Sequence, residues 1–217
     1  MALKLYFHPL SSFCQKALVA LYENATPFEG VIVDLFDEKS AAEFKKIWPV
    51  GKFPVLRDEA RECIVPESSI IIEYLARHYP GKVKLISEDE DLARQTRLKD
   101  RFFDLYLQVP MQKVIGDRMR PDGKHDPFGV DEARRMLGVA LSMLDKDIAD
   151  KKWAMGDWFS MADCAAAPAL FYVNMITPIA GAYPNAARYL DRLKARPSYA
   201  RALREAEPYF NLVPKEG

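Results

Sequence analysis

Ser11, Ser12 and Cys14 stand where an alternating stretch gives way to a helical one, and hydroxyl or thiol groups at such a junction can act on sulfur or bind an anion. Leu3, Leu5 and Phe7 alternate with Lys4, Tyr6 and His8, the two-residue period of a half-buried strand. From Cys14 onward, Cys14, Ala17, Leu18 and Leu21 fall at helical spacing, with His8-Pro9-Leu10 as the turn between the two patterns. Ser11 or Ser12 is suited to cap this helix. A hydroxyl there lies beside free backbone N–H groups and the positive end of the helix dipole, a setting that favours negative charge. Cys14, on the apolar face, reads as a small buried hydrophobe and not as a nucleophile. Glu67-Ser68 is a second such place: where a helix opens, the N–H and hydroxyl of Ser68 can receive a carboxylate while Glu67 pairs with an ammonium.

Other chemistries lack their motifs. There is no G-x-S-x-G, no phosphate-binding Walker loop and no Rossmann glycine pattern. His8, His78 and His125 have no metal-ligand spacing, so no metal is expected. The three cysteines are odd in number and widely spaced, which argues against a disulfide framework and, with a strand opening directly at the N-terminus, leads us to expect a cytoplasmic protein. The 31 basic residues balance the 31 acidic ones, so no global field favours nucleic acid or an anionic membrane. Residues 164–183 carry no charge over a length near a bilayer span, but Pro168, Asn174, Thr177, Pro178 and Gly181 interrupt them. A buried core helix is the expectation.

These groups need elements to hold them, and the 217 residues divide into two grammars. After the first strand and helix comes a strand over 31–35, then a short helix over 40–48 with Ser40 and Glu43 as a capping box. Strands over 54–57 and 62–65 flank a tight turn and form an antiparallel hairpin. A helix over 67–79 presents Ile70, Ile71, Tyr74, Leu75 and His78 on one face and stops at Pro80-Gly81. The order β-α-β-α-β-β-α implies a small mixed sheet covered by helices, an α/β domain over residues 1–79. Residues 80–87 link it to an all-α bundle over 88–217. There Leu92, Leu98, Phe102, Leu105, Tyr106 and Val109 mark a long helix bent at Pro110. Ala133, Met136, Leu137, Ala140, Leu141, Leu144 and Ile148 mark a second, the apolar stretch after Asp163 a third, and 186–195 and 198–206 two more; 121–129 is a loop. Ser160 and Asp163 form a capping box, with Phe159 and Cys164 at its staple positions.

With that layout the sequence resembles the cytosolic glutathione S-transferases over nearly its whole length, at four places. The segment Leu5-Tyr6-Phe7-His8-Pro9-Leu10-Ser11-Ser12-Phe13-Cys14 is similar to the serine-type active-site segment of theta-like, zeta-like and many bacterial members; its S-x-x-C also resembles the C-x-x-C of thioredoxin-like proteins with serine for the first cysteine. Pro49-Val50-Gly51-Lys52-Phe53-Pro54-Val55-Leu56 resembles the segment ending in a cis-proline. Pro66-Glu67-Ser68-Ser69 resembles the glutathione-holding turn, and Gly156-Asp157-Trp158-Phe159-Ser160-Met161-Ala162-Asp163 the capping motif of the buried helix.

The resemblance implies a thioredoxin-like first domain, a homodimer, and an enzyme that ionises the thiol of glutathione, as co-substrate, for attack on a small hydrophobic electrophile. Ser11, with Ser12 close by, is implied as the hydroxyl that donates to the sulfur, and Tyr6 is a third choice. A cis Phe53-Pro54 bond would turn the N–H and C=O of Val55 outward at a strand edge to meet the cysteinyl backbone of the tripeptide. Glu67 and Ser68 would hold its γ-glutamyl end and Lys52 its glycine carboxylate. Tyr106, Met111, Ile115 and Phe128 are candidate liners of the second-substrate pocket, placed between the domains. Two other functions stay open: a glutathione-dependent isomerase, since zeta-like maleylacetoacetate isomerases share the Ser-Ser segment but usually read S-S-C-S, and a non-catalytic glutathione-binding or ligand-carrier module.

Overall fold

A computed structural model describes residues 2–214. The first half is β1 (Leu3–Phe7), α1 (Ser12–Glu23), β2 (Glu29–Ile32), α2 (Glu38–Ile47), β3 (Val55–Asp58), β4 (Cys63–Pro66) and α3 (Ser68–His78). The sheet order is β2-β1-β3-β4, with β1 and β2 parallel and the other pairs antiparallel. This is the expected thioredoxin-like α/β domain. Leu3, Leu5 and Phe7 are buried, as the alternation requires. The second strand is shorter and earlier than expected. It ends at Ile32, because Val33–Phe36 must turn out toward α2: Leu35 and Phe36 are exposed, and the Phe36 N–H donates to Asp34 Oδ1 at 2.8 Å. For the same reason Ser40 is not the cap of α2. Asp37 is, its Oδ1 accepting from Ser40 N–H at 2.7 Å, while the Ser40 hydroxyl accepts from Asp34 N–H.

The helical half comprises α4 (Glu90–Phe102), a π-helical stretch (Phe103–Gln108), α5 (Val109–Asp117), α6 (Pro127–Asp147), α7 (Met161–Ile176), α8 (Pro184–Ala195), α9 (Pro197–Ala206) and a 3-10 turn (Glu207–Leu212). The expected bend at Pro110 takes the form of the π stretch just before it, which absorbs the N–H that proline lacks and the space its ring needs. The loop expected over 121–129 ends sooner, since Asp126 caps α6 by accepting from Gly129 N–H at 2.8 Å.

α7 is the centre of the bundle and buried nearly all round, as 164–183 suggested. Asp163 Oδ2 accepts from Ser160 N–H at 2.8 Å, and Ser160 Oγ accepts from Ala162 N–H at 3.2 Å. Asp163 Oδ1 takes Ala154 N–H at 2.8 Å and Tyr189 O–H at 2.5 Å. No helix among the described residues is long and apolar enough to cross a membrane.

The α4 stripe is the clearest departure. Leu92, Leu98, Leu105, Tyr106 and Val109 are exposed, and the buried side carries Thr96, Asp100, Asp104 and Gln108 beside Ala93, Phe103 and Leu107. It is polar because it faces Lys16 of α1. Lys16, almost wholly buried between the halves, has its Nζ 2.6 Å from Asp100, 2.8 Å from Asp104 and 2.8 Å from Ser69 Oγ. α3 rotates similarly: Ser68, Ser69, Ile71, Ile72 and Leu75 face inward, and Ile70 is exposed.

Candidate active site

α1 begins where the sequence predicts. Ser11 is its N-cap, with Oγ accepting from Cys14 N–H at 3.3 Å, and the Ser11 N–H closes the preceding turn on His8 C=O at 3.0 Å. Tyr172 of α7 braces that turn by donating to Leu10 C=O at 2.6 Å. Ser12 differs from its neighbour: it is 5% exposed, and its hydroxyl accepts from the Gln108 amide of the helical half. Cys14 is fully buried, and burial pushes its thiol up to about 12, so it is no thiolate at neutral pH. A thiol-exchange reaction through Cys14 is thereby removed.

A cavity of about 860 Å³ opens between the halves, within the range of small-molecule sites. Ser11, Ser12, His8 and Phe53 line it from the first half, Gln108, Met111 and Ile115 from the second, and Tyr209 and Leu212 from the chain's last turn. Of the expected pocket residues, Met111 and Ile115 therefore lie in the wall. Tyr106 and Phe128 do not. The wall repeats as 108, 111, 112, 115, 116 and 119, one helical face, and Tyr106 falls on the other side, exposed with its ring 5.8 Å from Phe102. Phe128, 75% exposed, sits in the first turn of α6 and outside the wall.

The Phe53–Pro54 peptide is cis, as expected. Val55 opens β3, paired with Tyr6 on one side and Pro66 on the other, so it lies at the end of an interior strand and not on a sheet edge. Tyr6, inside β1, packs its ring 6.2 Å from Phe44 and is absent from the wall. Lys52 is exposed in the loop before the proline. Glu67 holds φ +70°, unusual for a residue with a Cβ, and no side chain caps the start of α3 that follows. Strain of this kind costs about 1 kcal/mol or more and concentrates where a ligand is held. Ser68 is buried at that helix start. Lys52, Pro54, Val55, Glu67 and Ser68 lie outside the apolar cavity's wall, which Phe53 alone of the second motif reaches.

Sequence reasoning missed His8, Gln108 and Tyr209. His8 was weighed only as a metal ligand, although its place in the turn before Ser11 was the available signal. Its Nδ1 accepts from Leu10 N–H at 3.2 Å, and its ring lies 6.3 Å from Phe53 in a stack and 5.0 Å edge-on from Tyr209. No group of three or more potential metal ligands occurs among the described residues.

The family model for the glutathione S-transferase N-terminal domain matches residues 5–83, and that for the C-terminal domain residues 111–197. A glutathione S-transferase-like protein, OpS6 of Beauveria bassiana, is 30% identical over 90% of this chain and 92% of its own length. The chain belongs to the glutathione S-transferase family. Glutathione S-transferase hmp2 of Hypomyces subiculosus is 28% identical over 95% of this chain and its full length. A glutathione S-transferase from Methylobacillus flagellatus, crystallised with glutathione bound, superposes with a TM-score of 0.84 at 25% identity, covering 92% of this chain and 98% of that one.

Proposed function

We propose that this transferase-family chain is a serine-type glutathione transferase in which Ser11 ionises the glutathione thiol for attack on a small hydrophobic electrophile. The observation that carries the reading is the division of labour at the α1 start. Ser12 is buried and engaged by Gln108, Cys14 is sealed in the core, and Ser11 caps the helix while lining the cavity. The Ser11 oxygen accepts the Cys14 N–H, and its O–H has the capacity to donate to a sulfur in the cavity. An O–H donated to sulfur, together with the helix N-terminus, favours the thiolate over the thiol. The uncapped start of α3 with Glu67 and Ser68 suits the ammonium and carboxylate of the γ-glutamyl group, and Lys52 suits the glycine carboxylate. The cavity wall of Met111, Ile115 and Phe53 would hold the electrophile.

Pairing with a second copy is part of the proposal. The exposed row Leu98, Leu105, Tyr106 and Val109, on α4, the π stretch and the start of α5, is the kind of apolar surface that association buries. Light scattering should return twice the chain mass, and a Leu98→Glu, Leu105→Glu double variant should return one chain.

Calorimetric titration with glutathione, followed by conjugation of a chloronitrobenzene, tests the whole reading. Heat of binding and thiol consumption are expected; neither appears if the chain only keeps the fold. Binding without turnover of any electrophile would leave a carrier.

A further inference from the structure

The second-substrate wall has an unusual polar inventory. Among the described residues, none of those lining the cavity is a lysine or an arginine. Asp34, the one carboxylate among the described lining residues, is exposed at the rim, where its Oδ1 accepts from Phe36 N–H. Any negative charge that builds up on a bound electrophile must therefore be met by a neutral donor. His8 is built to be one. Because Nδ1 accepts the Leu10 N–H, the ring's proton resides on Nε2, and burial holds the imidazole below its ordinary pKa of 6.5 against the attraction of Asp34. The stacked Phe53 and edge-on Tyr209 fix the ring plane, and no hydrogen bond among the described residues engages Nε2. The donor stands three residues from Ser11, whose N–H is itself bonded to the His8 carbonyl.

We propose that His8 is a second catalytic residue, donating its Nε2–H to the carbonyl oxygen of an uncharged aromatic enone in the cavity. The inference rests on the transferase reading above. The thiolate lone pair forms a C–S bond to the β-carbon. The C=C π pair moves to join the α-carbon to the carbonyl carbon, and the carbonyl π pair moves onto oxygen as an enolate held by Nε2–H. Water then returns a proton to the α-carbon, balancing the one the thiol released. Preorganised donors of this kind act because their position is fixed before charge develops. The apolar rim of Ile32, Leu35, Phe36, Met119 and Leu212 matches the aryl part of such a molecule, and Asp34 disfavours anionic ones.

Steady-state conjugation of benzylideneacetone, with benzyl chloride as a substrate that has no oxygen, tests the assignment. His8→Asn keeps an acceptor for the Leu10 N–H but removes Nε2; His8→Gln restores an N–H near its place. In His8→Asn the kcat ratio of ketone to chloride should fall roughly 10- to 100-fold with the ketone KM nearly unchanged, and His8→Gln should recover part of it. A ratio that stays constant, whether both rates fall or neither does, overturns the proposal, as does a wild type that accepts the chloride but not the ketone. Calorimetry with glutathione on the same proteins keeps the two readings apart. A wild type that takes up no glutathione sinks the transferase reading, whereas unaltered uptake with an unaltered ratio sinks His8 alone.

Discussion

Replacing Ser11 by alanine separates the two tasks of one oxygen. As a cap, Oγ accepts the Cys14 N–H at 3.3 Å, a long bond, so the stability loss should sit near the low end of the capping range, about 0.5–1 kcal/mol. As a donor to a thiolate it makes a bond to a charged acceptor, for which about 1.5–3 kcal/mol is typical. At about 1.4 kcal/mol per pH unit, losing it should raise the pKa of bound glutathione by roughly 1–2 units. The helix N-terminus remains, so the thiol should not return fully to the free value. Ultraviolet absorbance of the thiolate, followed against pH with glutathione saturating, reads the shift directly. Turnover near neutral pH should fall about 10-fold or more, while the melting temperature moves only a few degrees. Ser12→Ala should leave the thiol pKa nearly in place. If Ser12→Ala raises it and Ser11→Ala does not, the hydroxyls have been assigned the wrong way round.

Asp163→Ala leaves Ser160 N–H, Ala154 N–H, Ser160 O–H and Tyr189 O–H without their acceptor in a fully buried place, and should cost about 4 kcal/mol or more in a denaturant titration. Asp163→Asn, which can still accept at one oxygen, should lose about half as much. Lys16→Met leaves Asp100 and Asp104 with the half-exposed Arg101 as their only cation among the described residues and should destabilise by roughly 3 kcal/mol, whereas replacing all three with apolar residues should recover part of that. Because the folded state holds His8 below its ordinary 6.5, unfolding takes up a proton as pH falls past that value. The His8 contribution is thus present above 6.5 and is lost below it, and His8→Asn should flatten this part of the stability-versus-pH curve.

Much of this was legible in the chain because it is local. The strand alternation, the Ser160 and Asp163 box and the hairpin each depend on a few neighbouring residues, and each is found; the cis proline, also found, was implied by the family resemblance. Local rules failed where distant parts decide. Counting apolar residues on α4 selected Leu98, Leu105 and Tyr106, but the helix turns Asp100 and Asp104 inward because a lysine 84 positions before Asp100 needs them. No periodicity argument finds a polar interior face whose partner lies on another helix. The π stretch then fixes which side of α5 meets the cavity, so Met111 and Ile115 reach the wall while Tyr106 does not. Ser40 was misread as a cap because Asp37, three residues earlier, competes for the same N–H groups and prevails. His8 and Gln108 carry no signature of their own; only the closed turn and the docked helix reveal what each side chain meets.

The amide linking Ser12 to the end of the π stretch also bears on how substrate range can change. Gln108 belongs at once to the pocket lining and to the seam with α1, so substitutions there would loosen the contact between the halves along with changing the shape. Met111, Ile115 and Met119 face the same space without that tie. Directed diversification confined to those three should yield variants that accept new electrophiles at undiminished stability, whereas libraries that include 108 should also carry clones with lowered melting temperatures.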